Sequence, residues 1–436
     1  MPRLWSSYFA VTVGAVSADA VQRYIDTQGG ARMKRSYKFL LRPTTRQARA
    51  LGDMLDDHRH LYNAALQERR DAYRHPSATS VRYGDQSAQL RDIRTADAEG
   101  QGRWSFSSQQ ATLRRLTKAF AGFFRRVKVG DKPGSPRFKG RGRFDTVEFP
   151  KDGDGCRWDS TPDDRQTRVR LQGVGHVRVH QHRPVRGRVK TVSVKREGTR
   201  WFVVLSCDEV PVEPLPETGN TAGIDMGVVH FATTSDGQHV ENPRCGRRLA
   251  DELAEAQRHL ATSPTRKRAR DRTKKHRDAA RKVAKLHAKL RRQRADYHHK
   301  TALALVGSYD TSAVEDLNIA GMTRTPAPKP DPDQPGTFLP NQATAKAGLN
   351  KSILDAGWGQ FLGTLADKAE KAGRRVVPVD ARNTSRTCPD CGHVDGGNRV
   401  SQAEFGCQRC GYTANADVVG AANIAFRAGL VLRSAA

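Results

Sequence analysis

The sequence predicts a mixed α/β protein of several domains, and three patterns predict it. Residues recur at helical spacing in Leu51, Met54, Leu55, His58, Leu61, Tyr62, Ala65 and Leu66, and again in Leu113, Leu116, Phe120, Phe123 and Phe124. The period switches to two through TRVRLQGVGHVRVH and RVKTVSVKREGTRWFVVLSCDE, the signature of β-hairpins. Near the C-terminus two Cys-x-x-Cys pairs stand fifteen residues apart. With 436 residues and roughly 100–200 residues to a domain, two to four domains are expected.

Taken in order, residues 1–32 read as an apolar run, Tyr8 to Val13, and a short helix from about Ala18 to Thr27 that stops at Gly29-Gly30. Met33 is a second plausible start. KRSYKFLLRP reads as an edge strand ending at Pro43, after which Thr44 or Thr45 caps a helix to about Arg74. A further helix covers about Ser108 to Val127, its aromatic residues assigned to the core. Gly130 to Phe144 is a basic loop punctuated by Gly and Pro, and Glu197-Gly198 is the turn of the second hairpin. Pro211, Pro214 and Pro216 mark a linker before a new domain opens at about Thr221. Between Arg266 and Lys300 lie 16 Lys/Arg against three Asp in a long helical region. A solvated surface helix is one account of it, but charge this one-sided repels itself unless it meets phosphate, which favours binding a nucleic-acid backbone. Six prolines between Pro326 and Pro340 mark a flexible insertion, and no internal repeat is visible.

Lys and Arg number 75 against 46 Asp and Glu, a formal net charge of +29. Self-repulsion of this size calls for a standing anionic partner, and nucleic acid is the commonest. Hydrophobic residues make up 37%, enough at this length for sizeable cores. No stretch approaches the roughly 18 to 20 apolar residues of a membrane span, and the apolar start lacks the basic segment and cleavage site of a signal peptide. A cytoplasmic protein is expected. Of seven cysteines, Cys156, Cys207 and Cys245 are scattered and read as small hydrophobes, which excludes a disulfide-stapled scaffold.

The remaining four, Cys388, Cys391, Cys407 and Cys410, carry chemistry. Each pair lets two thiolates converge on one ion from a tight turn, with Gly392 and Gly411 placed where that turn needs positive φ. Two disulfides or redox dithiols fit a doubled motif in a cytosolic chain poorly, so the expectation is a structural Zn²⁺ in a closed Cys₄ ribbon. The second constellation is acidic. Asp225 lies in TAGIDMGVVHFATTSDG, Glu315 ends the apolar run of TSAVEDLNIAGM, and Asp417 opens a small-residue helix in NADVVGAANIAFRAG. Singly, Asp225 serves equally as a turn residue, Glu315 as a solvated strand end and Asp417 as a helix cap. Together, carboxylates from two strand ends and a helix start can hold two divalent ions roughly 4 Å apart, and Mg²⁺ suits all-oxygen ligation. Asp316 is the local rival of Glu315, but strand alternation aims it at the opposite face.

In the order GIDMGVV, VEDLNIAGM, TSRTCPDCG…CQRCGY and ADVVGAANIA, these motifs resemble the split RuvC-type nuclease of the transposon-encoded TnpB proteins, ancestors of the type V CRISPR effectors. LNKSILDAGWGQFLGTLADKAEKAG and PVDARNTSRTC resemble the stretch joining its second and third segments, and LYNAAL, QATLRRLTKAFAGFFRRVK and GSPRFKGRGR its recognition and wedge regions. The resemblance runs from Met33 to about Leu430. It implies a wedge β-barrel over 33–43 and 131–218, interrupted by a helical recognition insert, 44–130. It further implies an RNase H-like RuvC domain over 219–383 and 412–436, carrying a basic helical insertion, 247–300, and a zinc ribbon, 384–411. The implied activity is RNA-guided DNA cleavage, with a guide RNA from the transposon end, target double-stranded DNA, a two-ion Mg²⁺ site on Asp225, Glu315 and Asp417, and a prokaryotic, nucleoid-associated location. Base pairing would read sequence while the protein holds the heteroduplex by its backbone. Tyr83 and Gln110 fall where the family contacts the adjacent duplex motif. Lys139 in the basic loop and Lys274, Lys275 and Arg281 in the basic helix are further candidate nucleic-acid contacts.

The chain departs from the family pattern in Val419, where Asn is usual, Gly420, where Ala is usual, and Asn415, often Asp. Val419 is expected to remove a polar group near the metal site and to slow turnover. Two further readings are a compact type V CRISPR effector and an RNA-guided DNA-binding repressor with weakened cleavage. The leader resembles the tail of the single-tyrosine transposase encoded beside TnpB, with Tyr24 and Gln28 matching its nucleophile and a metal-site glutamine. Its His-rich half is missing, so an upstream start or a fusion remnant is expected instead of a second active site.

Overall fold

The computed structural model describes residues 32–159, 166–263, 273–334 and 336–430. The leader with Tyr24 and Gln28, and residues 264–272 of the basic run, lie outside them. The chain divides into two compact units between Pro211 and Val212. Among the described residues no helix is long and apolar enough to cross a membrane.

In the first unit, β1 (Arg32–Arg42) alternates Tyr37, Phe39 and Leu41 inward against exposed Lys34, Ser36 and Lys38. It is followed by α1 (Thr45–Arg74), α2 (Tyr83–Ala96) and α3 (Phe106–Lys128). Strands β2 (Thr146–Phe149), β3 (Cys156–Trp158), β4 (Arg168–Leu171), β5 (Gly175–His180), β6 (Arg188–Glu197) and β7 (Arg200–Pro211) complete the antiparallel sheet. Thr44 caps α1 in a capping box: its hydroxyl accepts from the Gln47 backbone amide at 3.3 Å, and the Gln47 side-chain Oε1 accepts from the Thr44 backbone amide at 3.0 Å. The strand order is β2-β6-β7-β1-β5-β4-β3, so β1 is central and not the edge strand its basic residues suggest. Its exposed Lys and Arg stand on the solvent face, while its backbone pairs on both sides with β7 and β5.

Seven strands laid flat would separate β2 from β3 by about 29 Å, yet the chain from Phe149 to Cys156 reaches about 25 Å at most. The sheet therefore curls until its edges nearly meet, and the connection bonds back to β6 through the Asp152 amide and the Lys190 carbonyl at 3.3 Å. It is a nearly closed barrel whose inward residues share one core with the helices, Leu51, Met54, Leu66, Leu113 and Trp104 lying among Val147, Val192 and Val203. Buried residues of α3 stop at Leu116. Phe124 is 61% exposed, contrary to its expected place in the core, because the last turns of α3 run past the barrel. The α2 helix carries no clear apolar stripe, which is why the period did not reveal it; Leu90 and Gln86 are its buried residues.

The second unit is built on β8 (Thr221–Met226), β9 (His230–Thr234), β10 (His239–Glu241), β11 (Thr311–Glu315) and β14 (Arg375–Val379), in the order β10-β9-β8-β11-β14. The first three pair antiparallel, and β8, β11 and β14 run parallel. Between β10 and β11 come α4 (Cys245–Arg248), α5 (Ala250–Ala261) and α6 (Lys274–Ser308). The α6 helix continues past 300, where the basic insertion was expected to end, and its last turns bury Ala302, Leu305 and Val306 against Ile224, Phe231 and Phe361. After β11 follow α7 (Ile319–Met322), the small hairpin β12 (Lys329–Pro330) and β13 (Phe338–Leu339), α8 (Ala343–Ala356) and α9 (Trp358–Lys371). Beyond β14 come β15 (Glu404–Gly406), β16 (Thr413–Asn415) and α10 (Ala416–Arg427).

Candidate functional site

The parallel register places Val314 beside Ile224, so one residue further along, at the C-terminal ends of β11 and β8, stand Glu315 and Asp225. Side chains alternate, and Ile224 and Val314 face the core shared with α6 and α9. Asp225 and Glu315 consequently share the other face with Gly223 and Ala313. That face is covered by α10, whose Ile424 packs on Ala313 and Val379. Gly223 admits the helix: a Cβ there would lie 2.0 Å from the Ala421 carbonyl oxygen. With α10 held this close, Asp417 in its first turn comes down toward Asp225. The helix cap is Asn415, whose side-chain oxygen accepts from the amides of Asp417 and Val418 at 3.0 and 3.2 Å. The Asp417 carboxylate is therefore not spent on capping.

The electrostatics register this convergence. Burial, then the charges of Glu315 and Asp417, push the Asp225 carboxyl up to about 7, against the opposing pull of Arg399. Burial also raises Glu315, which accepts a 2.5 Å hydrogen bond from the Thr384 hydroxyl. Asp417 accepts from the Arg399 guanidinium at 3.3 Å and lies 3.9 Å from His230 Nδ1. Asp316 is exposed, away from this face.

Arg399, Thr384 and His230 escaped the sequence reading because their approach is non-local: Arg399 comes from the cysteine-rich segment, and His230 from the strand after the Gly227 turn. The cysteine-rich segment is tied to the helix by Asn423, which donates to the carbonyls of Thr384 and Thr387 at 2.8 and 2.7 Å. Within it, the thiols of Cys388, Cys391, Cys407 and Cys410 lie mutually within 4.8 Å. Cys388 and Cys410 are 3.6 Å apart, as are Cys391 and Cys407. Four sulfurs about 2.3 Å from a tetrahedral ion would be about 3.8 Å apart. Gly392 and Gly411 have φ of 71° and 75°, as the two knuckles require. Among the described residues this quartet is the one such group of three or more His, Cys, Asp or Glu. The oxygens of Asp225, Glu315 and Asp417 do not all lie within that distance of one another, Glu315 being held by Thr384 and Asp417 by Arg399.

Val419 is 1% exposed and packs with Cys388, Phe405, Cys407 and Ala416 in the core of the cysteine-rich segment. The expectation that it strips a polar group from the carboxylate site is corrected: its side chain faces the segment, not the acids. The departure that touches the acids is Gly420, where a Cβ would lie 3.0 Å from Asp225 Oδ2.

Of the candidate nucleic-acid contacts, Tyr83, Gln110 and Lys139 belong to the first unit and Lys274, Lys275 and Arg281 to the second. The Tyr83 ring lies under the Arg114 guanidinium at 5.6 Å, and the Gln110 amide donates to Ser87 at 3.0 Å, so both serve the contact between α2 and α3. The backbone of Lys139 is clamped by Asn63 at 2.8 and 3.0 Å. Lys274 and Lys275 open α6 exposed, and Arg281 pairs with Asp278 at 2.9 Å.

A family model described as "Probable transposase" matches residues 192–325, one described as "Cas12f1-like, TNB domain" matches 358–424, and one described as "Helix-turn-helix domain" matches 33–76. The chain is 32% identical over 396 residues to the Escherichia coli K12 protein named "Putative RNA-guided DNA endonuclease InsQ", covering 90% of this chain and 92% of that one. It is 30% identical over 401 residues to a Streptomyces pristinaespiralis protein named "Putative RNA-guided DNA endonuclease", covering 90% and 89%. In fold it is similar to the protein in a solved Cas12f1-sgRNA-target DNA complex, with a TM-score of 0.51 at 12% identity over 90% of this chain and 98% of that one. With carboxylate and cysteine motifs in the family's order and a third of its residues shared with InsQ over nine tenths of both chains, the protein belongs to the transposon-encoded TnpB family.

Proposed function

We propose that this protein is an RNA-guided DNA endonuclease of an insertion sequence, cutting by metal-dependent phosphodiester hydrolysis at a RuvC-type centre. The observation that carries the reading is the approach of Glu315 and Asp417 to Asp225 from a strand end and a helix start, where burial and then their two charges raise the Asp225 carboxyl to about 7. A divalent cation would offset the burial cost and the mutual repulsion of the three carboxylates, and their donors are all oxygen, which suits Mg²⁺. Asp225, Glu315 and Asp417 would hold a pair of Mg²⁺ ions. When bound, the ions supply an activated water and stabilise the leaving oxygen of the phosphodiester. Thr384 holds Glu315 in place, and Arg399 meets the phosphate with a fixed positive charge that otherwise rests on Asp417. Cys388, Cys391, Cys407 and Cys410 would hold one structural Zn²⁺, with no position left for water.

The partners are a guide RNA from the transposon end and target double-stranded DNA, and a net charge of +29 gives the protein the means to hold both by their backbones. The reading as a repressor with weakened cleavage loses its support, since Val419 lies in the apolar core of the cysteine-rich segment.

The test is a plasmid bearing the sequence complementary to the RNA that co-purifies with the protein. Asp225→Ala is expected to abolish Mg²⁺-dependent cutting while guided DNA binding stays within a few-fold of wild type, because one ligand is lost and the basic surface remains. Cutting by that variant at the wild-type rate overturns the assignment.

A further inference from the structure

His230 opens β9 immediately after the turn that follows Asp225, where the Gly227 amide donates to the Phe231 carbonyl at 3.3 Å. Its ring stacks on His239 at 4.3 Å between centroids and 28° between planes. His239 is in turn held by Thr233, its Nδ1 lying 3.0 Å from that hydroxyl. The His230 ring plane is thus fixed by the sheet. Its Nδ1 is buried and makes no hydrogen bond. The nearest acidic oxygen recorded for it is Asp417 Oδ2 at 3.9 Å, too long for a hydrogen bond. A buried ring nitrogen without a partner costs stability and calls for an occupant that the protein itself does not supply. Of the seven such atoms among the described residues, this is the one set against a carboxylate of the centre.

An imidazole nitrogen and a carboxylate oxygen side by side make a mixed donor pair. Neighbouring ligand atoms about 2.1 Å from an octahedral ion are about 3 Å apart, so an adjustment of about 1 Å in the rotatable Asp417 side chain closes the 3.9 Å gap to the fixed ring. Purely oxygen sites favour Mg²⁺, whereas an imidazole donor shifts preference toward transition ions. We propose that His230 lends its Nδ1 to the ion on the Asp417 side of the centre, making that position prefer Mn²⁺ over Mg²⁺. The inference rests on the metal-dependent reading above. It assigns the two ion positions different donors: oxygen only between Asp225 and Glu315, and oxygen with nitrogen between Asp225 and Asp417.

The test uses the full chain with its cysteine segment loaded with zinc, titrated with Mn²⁺ alone and followed by electron paramagnetic resonance. Bound Mn²⁺ is expected to show ¹⁴N coupling from a directly ligated imidazole, replaced by ¹⁵N coupling when the histidines are isotopically labelled, which needs no substitution. His230→Ala is expected to remove that coupling and to weaken Mn²⁺ on the order of tenfold, with Mg²⁺ competing correspondingly better. Mn²⁺ that is bound, and is lost in Asp225→Ala, but shows no nitrogen coupling overturns the role of His230 and leaves the carboxylate centre standing. Mn²⁺ that binds equally to wild type and Asp225→Ala overturns both.

Discussion

A Cβ on Gly223 would meet backbone atoms, the Ala421 carbonyl at 2.0 Å and the Ala425 nitrogen at 2.6 Å, whereas one on Gly420 would meet the free end of Asp225 at 3.0 Å. The first neighbour cannot yield without moving α10 off the sheet, and the second can turn aside. Gly223 is therefore a structural condition for Asp417 reaching Asp225, and Gly420 leaves the Asp225 carboxylate room to adjust. A second buried group shows a residue acting through pH. His58, fully buried on α1, contacts the Met54 carbonyl through Nδ1 at 2.8 Å and the Ser108 hydroxyl through Nε2 at 2.9 Å. Burial lowers its pKa from 6.5 to about 4, only partly offset by the Met54 bond. Because the folded value lies below the unfolded one, the unfolded chain takes up the proton first. The stabilisation is whole above about 6.5 and is lost as pH falls from there toward 4, on the order of 3 kcal/mol in all. Hydrogen exchange in residues 45–74 at pH 7.5 and 4.5 should show wild type losing roughly 2 to 3 kcal/mol more than His58→Met over that interval. Equal losses would mean that the fold does not hold the His58 ring below its unfolded pKa.

Among the elements, the cysteine-rich segment and α10 stand or fall together. Val419 and Ala416 from the helix complete a core with Cys388, Phe405 and Cys407, and the same segment delivers Arg399 to Asp417 and Thr384 to Glu315. So small a cluster has little apolar area of its own and needs the ion to hold it. One zinc per chain is expected by elemental analysis. Removing it with a chelator, or making Cys391→Ser, should open residues 388–412 to limited proteolysis and stop DNA cutting, while exchange in 45–74 stays at the wild-type level. A metal-free chain as resistant as the holoprotein would count against the ribbon. The cysteines were legible in the sequence because their spacing is local, and the hairpins because alternation is; the turn expected at Glu197-Gly198 falls one residue later, on Gly198-Thr199, with Glu197 paired to Arg200 and Gly198 at φ 63°. What stayed hidden depends on which surfaces meet. The central place of β1 is set by β5 and β7, distant in sequence, and the exposure of Phe124 by where the barrel ends under α3. Val419 shows the same limit at the site itself, since a motif position says which helix a residue occupies but not which neighbour its side chain faces.

Across the whole chain, the net charge of +29 is unevenly spread, with 16 Lys/Arg and three Asp between Arg266 and Lys300. In α6 the buried residues His276, Ala279 and Leu286 form one stripe. At about 100° per residue, Lys274, Arg277, Lys285 and Arg292 project from the opposite side, and all four are exposed. This arrangement separates two accounts of the helix, a solvated face or a phosphate-binding one, because only the second releases counterions. Each phosphate neutralised contributes about 0.9 to the slope of log affinity against log salt for duplex DNA and about 0.7 for a single strand. Replacing those four residues with Ala should therefore lower the magnitude of the slope for guided DNA binding by about 3 to 4. Cutting at saturating DNA in low salt should persist, because Asp225, Glu315 and Asp417 lie on the β8–β11 sheet and α10, not on α6. A slope unchanged by the substitutions would leave α6 a solvated face and move the nucleic-acid path to another part of the basic surface.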